Sequence, residues 1–272
     1  MTSNIEYDFE NLFNDKYTCE INEVFKIGKT VCSGYARLFR HFANNINLIV
    51  ENIKCFAKGY GYNPKKLNEK LGSNHEYNAV KLKNKWYLID STWGSGYILE
   101  KHFVQKYDSF YFCVKPDLLI NTHYPINENW QLLEKPIKFE QFKSNVKFER
   151  DFFKDGFYKI EPNKSIIKCS LGNHSLTVYK NNKKEIYTNL SIFKLDENSE
   201  GNKKSSNDCK IGDKIYPLYC SKHEPLKRSD NNFKYEYFLK EKGEYFLCFR
   251  GKDSPGISGT YESYFNFFIY CS

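Results

Sequence analysis

The chain has 272 residues, 40% of them apolar and 18% aromatic, with a formal net charge of +8. That length and apolar share allow a buried core in one large or two smaller domains and exclude a chain disordered throughout. The lysines are dispersed, with no compact basic block interleaved with aromatics and no zinc-finger spacing, so nucleic acid is not an expected partner.

Residues 1–8 carry neither a basic n-region nor an apolar h-region, and no apolar run is long enough to span a bilayer. The nine cysteines are odd in number and form no CxxC pair. The expectation is a cytoplasmic protein without a membrane span, most of its cysteines acting as small buried hydrophobes.

From residue 31 to about 47 the apolar positions Tyr35, Leu38, Phe39, Phe42 and Ile46 recur at helical spacing, and the first turn holds Cys32, Ser33 and Gly34. A strand over 53–59 and a Gly/Tyr/Asn/Pro-rich loop over 59–64 follow. Residues 76–82 alternate, Lys83-Asn84-Lys85 is polar, and 86–90 reads as a second strand, which together predict a β-hairpin. Residues 103–114 are aromatic-rich, Pro116 opens a short helical turn to Ile120, and 136–148 reads as a connector. Beyond it the pattern is short strands at 165–171, 175–180, 187–195, 233–240, 244–250 and 262–270, which predict an antiparallel sandwich. The polar stretch 196–210 reads as a mobile loop of that sandwich.

A thiol becomes a good nucleophile when a helix N-terminus or an imidazolium lowers its pKa. Cys32 has the first of these, although taken alone it reads more readily as one more buried structural cysteine. His75 stands just before the first hairpin strand and Asp90 ends the second. A two-residue turn at Lys83-Asn84 pairs Leu82 with Lys85 and Tyr77 with Asp90. His75 and Asp90 are then diagonal neighbours on one face, whereas a three-residue turn puts them on opposite faces. A carboxylate bonded to a histidine ring fixes its tautomer and stabilises the imidazolium. Tyr35 and Trp93 are candidates for a substrate groove, though rings that bury so much area are more often core. His102, His123, His174 and His223 show no metal-ligand spacing, so no structural zinc, other metal or cofactor is expected.

Residues 30–39 (Thr-Val-Cys-Ser-Gly-Tyr-Ala-Arg-Leu-Phe) resemble the nucleophile segment of the transglutaminase-like superfamily. His75-Glu76-Tyr77-Asn78-Ala79-Val80 resembles its histidine segment, and residues 86–94, centred on Asp90, its aspartate segment. Phe110-Tyr111-Phe112, residues 116–120, His123-Tyr124-Pro125 and Trp130-Gln131-Leu132-Leu133 are similar to the narrower family of kyphoscoliosis peptidase, hillarin and a yeast cytokinesis protein. The resemblance covers about residues 4–142. It implies an α+β fold, with a papain-like cysteine-protease core over 1–142 and an all-β, Ig-like sandwich over 143–272. It further implies Cys32 as nucleophile, His75 as base and Asp90 as orienter, with Tyr35, Tyr77 and Trp93 as groove candidates. The implied activity is peptidase-like or acyltransferase chemistry on a protein substrate, with a cytoskeletal association; the other reading is an adaptor that binds cytoskeletal or signalling partners. Two departures stand out. The family has an aromatic, most often Trp, where this chain has Tyr77. The short segment before Cys32 holds neither the Gln nor the Trp that supplies a side-chain oxyanion donor in related enzymes.

Overall fold

A computed structural model describes residues 4–182, 184–195, 209–211, 214–216, 218–225, 232–252 and 262–272. Strands predominate among them and helices are few and short. Contacts divide the chain into two units, Met1–Phe142 and Lys143–Ser272.

In the first unit, β1 (Glu6–Tyr7) and α1 (Phe9–Leu12) lead to α2 (Ile21–Ile27), β2 (Lys29–Thr30) and α3 (Cys32–Asn44). A four-stranded antiparallel sheet follows, built from β3 (Ile49–Ala57), β4 (His75–Leu82), β5 (Lys85–Ile89) and, after further elements, β8 (His123–Pro125), in the order β5-β4-β3-β8. Between them lie the hairpin of β6 (Gly96–Leu99) and β7 (His102–Gln105) and the short α4 (Pro116–Leu119). The helical periodicity of α3 has a direct consequence: Tyr35, Ala36 and Leu38 are buried, and the buried Asn78 of β4 donates to the Ala36 carbonyl (3.1 Å), fastening helix to sheet. Ile53, Cys55, Tyr77, Ala79 and Leu88 form the apolar layer on one sheet face.

The second unit opens with the end of α5 (Phe139–Ser144), then α6 (Arg150–Lys154), β9 (Phe157–Glu161), β10 (Ile166–Cys169), β11 (Gly172–Lys180), β12 (Tyr187–Lys194), β13 (Cys209–Ile211), β14 (Lys214–Tyr216), β15 (Leu218–Pro225), β16 (Asn232–Leu239), β17 (Gly243–Lys252) and β18 (Glu262–Cys271). One sheet runs β10-β18-β17-β12-β15 and another β16-β11-β9. A single apolar cluster draws Ile160, Val178 and Tyr235 from the second sheet and Leu190, Phe249 and Phe265 from the first, so the two sheets share one core.

The expected strands are present in this half with shifted ends, and the pairing departs from the expectation at one edge: β10 lies parallel to β18. The expected connector 136–148 contains a helix whose Phe139 and Phe142 are buried, too short for a periodicity to register. Residues 196–208 of the expected loop lie outside the described residues, and Cys209 and Lys210 begin a strand. No helix among the described residues is long and apolar enough to cross a membrane.

Candidate active site

Cys32 opens α3. Val31 before it is extended (φ −98°, ψ −177°) and its side chain makes no cap hydrogen bond, so Cys32 sits at the positive end of the helix dipole. The tight approach of β2 depends on Gly34, where a Cβ would overlap the Thr30 hydroxyl. Cys32 remains partly exposed.

The hairpin brings His75 and Asp90 together. Lys83 (φ 46°) and Asn84 (φ 65°) both adopt the left-handed conformation that a two-residue hairpin turn requires. The pairs run from Leu82–Lys85 to Asn78–Ile89, the register read from the sequence, and one further step sets Tyr77 opposite Asp90. His75 Nε2 lies 2.8 Å from Asp90 Oδ2. The other carboxylate oxygen accepts the backbone N–H groups of Thr92 (2.9 Å) and Trp93 (3.0 Å), so the loop after β5 folds around its own aspartate. Asn74 braces the approach to His75, accepting from the Ala57 N–H (2.6 Å) and donating to the Ala57 carbonyl (3.1 Å).

With Nε2 engaged by Asp90, the other ring nitrogen of His75, Nδ1, is the one left to exchange a proton with Cys32. Burial pushes the Cys32 thiol up. The proximity and charge of His75, with the backbone of Glu76, outweigh burial and leave the thiol below its ordinary value. For His75, burial favours the neutral ring, but the charge and hydrogen bond of Asp90, together with Cys32, push it up to about 10. Asp90 is fully buried, yet the two histidines on its carboxylate hold it well below the usual carboxylate range. A thiolate beside an imidazolium that a carboxylate holds is the electrostatic condition for a cysteine nucleophile.

The second of those histidines is His123, which sequence spacing does not reveal. Its Nε2 lies 2.9 Å from the same Oδ2 of Asp90, and its Nδ1 lies 2.8 Å from the Thr122 hydroxyl. It arrives on β8, which pairs with β3, from 33 residues beyond Asp90. The one signal available was its place in the His123-Tyr124-Pro125 motif. His75, Asp90 and His123 place one ligand atom each within 4.8 Å, a spacing at which a metal ion can be held, though here both histidine nitrogens bond to the one Asp90 oxygen.

Trp93 packs against both histidine rings, at 4.4 Å from His123 and 5.8 Å from His75 between centroids. It is only partly buried and lies beside the site. Tyr35 and Tyr77 do not line a groove. Tyr35 is wholly buried with its hydroxyl given to the Ile5 carbonyl, and Tyr77 packs edge-on against His123 beneath the site; both fill the core because their position in helix and sheet turns them inward.

No family model matches the chain. Curated relatives do: it is 32% identical over 179 residues to kyphoscoliosis peptidase of Homo sapiens, covering 64% of this chain and 27% of that protein. It is 28% identical to hillarin of Drosophila melanogaster over 44% of this chain and 16% of hillarin. It is 26% identical to a LIM and transglutaminase domain protein of Caenorhabditis elegans over 44% of this chain and 18% of that protein. The resemblance read from the motifs therefore holds as homology, while the chain spans about a quarter, or less, of the length of these relatives.

Proposed function

We propose, from this homology to transglutaminase-domain proteins, that the chain is a cysteine acyltransferase or hydrolase acting on protein substrates through Cys32, His75 and Asp90. The fold that goes with this reading is a papain-like catalytic domain over 1–142 followed by a β-sandwich over 143–272. The observation that carries it is the buried 2.8 Å contact of His75 with Asp90, on a ring whose charge lowers the Cys32 thiol at the start of α3.

The chemistry follows from the arrangement. His75 takes the proton of the Cys32 thiol, and the sulfur attacks a peptide or glutamine side-chain carbonyl. The tetrahedral intermediate collapses to a thioester as the leaving amine takes the proton from His75. Water then gives hydrolysis, whereas a lysine amine gives a crosslink. The name of the kyphoscoliosis peptidases favours hydrolysis, and that of the nematode relative favours transglutaminase-type transfer. A cytoplasmic, cytoskeleton-associated setting belongs to the same reading, on the motif resemblance alone.

The test is acylation of Cys32 by an activated ester, p-nitrophenyl acetate, followed by mass spectrometry of the cysteine peptides. The expected result is a hydroxylamine-labile acetyl group on Cys32 that is lost in His75→Ala. Acetylation of Cys32 no faster than that of the partly exposed Cys19 and Cys113 overturns the proposal and leaves a binding protein.

A further inference from the structure

Two cysteines of the second unit stand opposite one another. Among the described residues β10 has one neighbour in its sheet, the parallel β18. Four register pairs join them: Ile166–Phe268, Ile167–Ile269, Lys168–Tyr270 and Cys169–Cys271. The Ser272 N–H bonds to the Cys169 carbonyl (3.1 Å), which closes the ladder at the cysteine pair. In-register neighbours on adjacent strands project to the same face. Cys271 belongs to the apolar core that the two sheets share, and Ile167 and Cys169 pack against it, so both thiols lie on the inner face, side by side.

Strand spacing sets their separation. Neighbouring strands stand about 4.7–4.9 Å apart, inside the range of about 4.4–6.8 Å between Cα atoms that a disulfide spans. The two thiols differ in access: Cys169 is partly exposed and Cys271 is buried. Burial and the charge of Cys271 push the Cys169 thiol up to about 11. A thiol of that kind is rarely ionised at neutral pH and attacks slowly, and as a poor leaving group it makes a disulfide slow to break.

We propose that Cys169 and Cys271 form a redox site, at which a small-molecule disulfide oxidises the pair to a bridge that fixes the edge strand β10 to β18. The inference concerns the second unit and stands apart from the acyl-transfer reading. Cys169 loses its proton and attacks one sulfur of oxidised glutathione, whose other half leaves as a thiolate. Cys271, deprotonated in turn, attacks the Cys169 sulfur of the mixed disulfide and expels the second glutathione. Two protein thiols thus give up two electrons, one disulfide is reduced to two thiols, and the two protons end on these. In the thiol form β10 is held by a short parallel ladder, the weaker kind of pairing, and opens locally from the sheet. The bridge prevents that opening.

The test uses the full wild-type chain, fully reduced or treated with oxidised glutathione. Digestion without reductant, read by mass spectrometry, is expected to yield a peptide pair joining Cys169 to Cys271, distinct from any glutathione carried by Cys32. Native-state hydrogen exchange is expected to slow at the amides of Ile166–Cys169 in the bridged form. Glutathione that stays on Cys169, a bridge from Cys169 to a different cysteine, or a Cys169 still free once Cys32 is fully modified overturns the site. A Cys169–Cys271 bridge that leaves exchange in β10 as fast as in the reduced protein overturns its action as a clasp. Cys169→Ser, a change at the partly exposed position, should lose the bridge and exchange alike with and without oxidant; slowing that persists in this variant contradicts the proposal.

Discussion

At the scale of single residues the site is organised around one carboxylate. Asp90 accepts four hydrogen bonds, two from its own loop and one each from His75 and His123. A buried anion persists only when its lone pairs are met, so His123 is a positioning residue for the pair in front of it. His123→Ala leaves an acceptor of a buried carboxylate unmet, at a cost of about 1–3 kcal/mol, to be read as a fall in the urea midpoint with an unchanged slope. An unaltered midpoint excludes that role.

Protonation of the pair has a defined sign. Asp90 is held low, so its contribution to stability is present above its unfolded value of about 3.9 and fades as acid carries the pH below that. His75 is raised to about 10, so its contribution is complete below its unfolded value of about 6.5 and is lost as the pH climbs toward 10. The stabilising window of the pair thus lies between about pH 4 and 6.5, and Asp90→Asn should flatten the stability–pH curve on both flanks. Identical curves for the two proteins contradict this. Cys32, His75 and Asp90 were nameable from residue type and motif. His123 was not, because a contact spanning 33 residues and made by a separate strand leaves no local pattern.

At the scale of elements, the hairpin was the most legible part of the chain. Alternation fixes the face, and Lys83-Asn84 fixes the register, so the diagonal of His75 and Asp90 could be read before any fold was known. Longer elements such as α3 likewise follow their periodicity. The pieces that escaped are short: α1, α5 and α6 have four to six residues, below the length at which a 3.6-residue period registers. The pairing of β1 with β2 joins two-residue strands and is invisible to alternation. Gly34 also gains a meaning that sequence reading missed. An early helical position tolerates glycine, but here the close approach of Thr30 requires it. Gly34→Ala must push β2 away from α3, costing about 1–3 kcal/mol through overpacking, and should slow alkylation of Cys32; wild-type stability and rate in this variant contradict the close approach.

At the scale of the whole molecule, the chain divides into two units whose boundary falls inside α5. Every residue assigned to the site, including His123, belongs to the first unit. A fragment ending after Asn145 keeps α5 entire and is expected to fold and to alkylate at Cys32 at the full-length rate; an unfolded fragment shows instead that the second unit is needed to complete the first. The parallel edge of β10 and β18 was not legible in the sequence, since both strands read alike in either direction. All of these expectations depend on Cys32 being ionised by its neighbour. The direct measurement is the rate of iodoacetamide alkylation of Cys32 against pH, in the wild type and in His75→Ala. The wild type should react rapidly and almost independently of pH well below about 8.5, the value of a free thiol, while His75→Ala should regain the steep rise of an ordinary cysteine. A wild-type rate that climbs with pH like that of Cys113, unaffected by loss of His75, contradicts the proposed site.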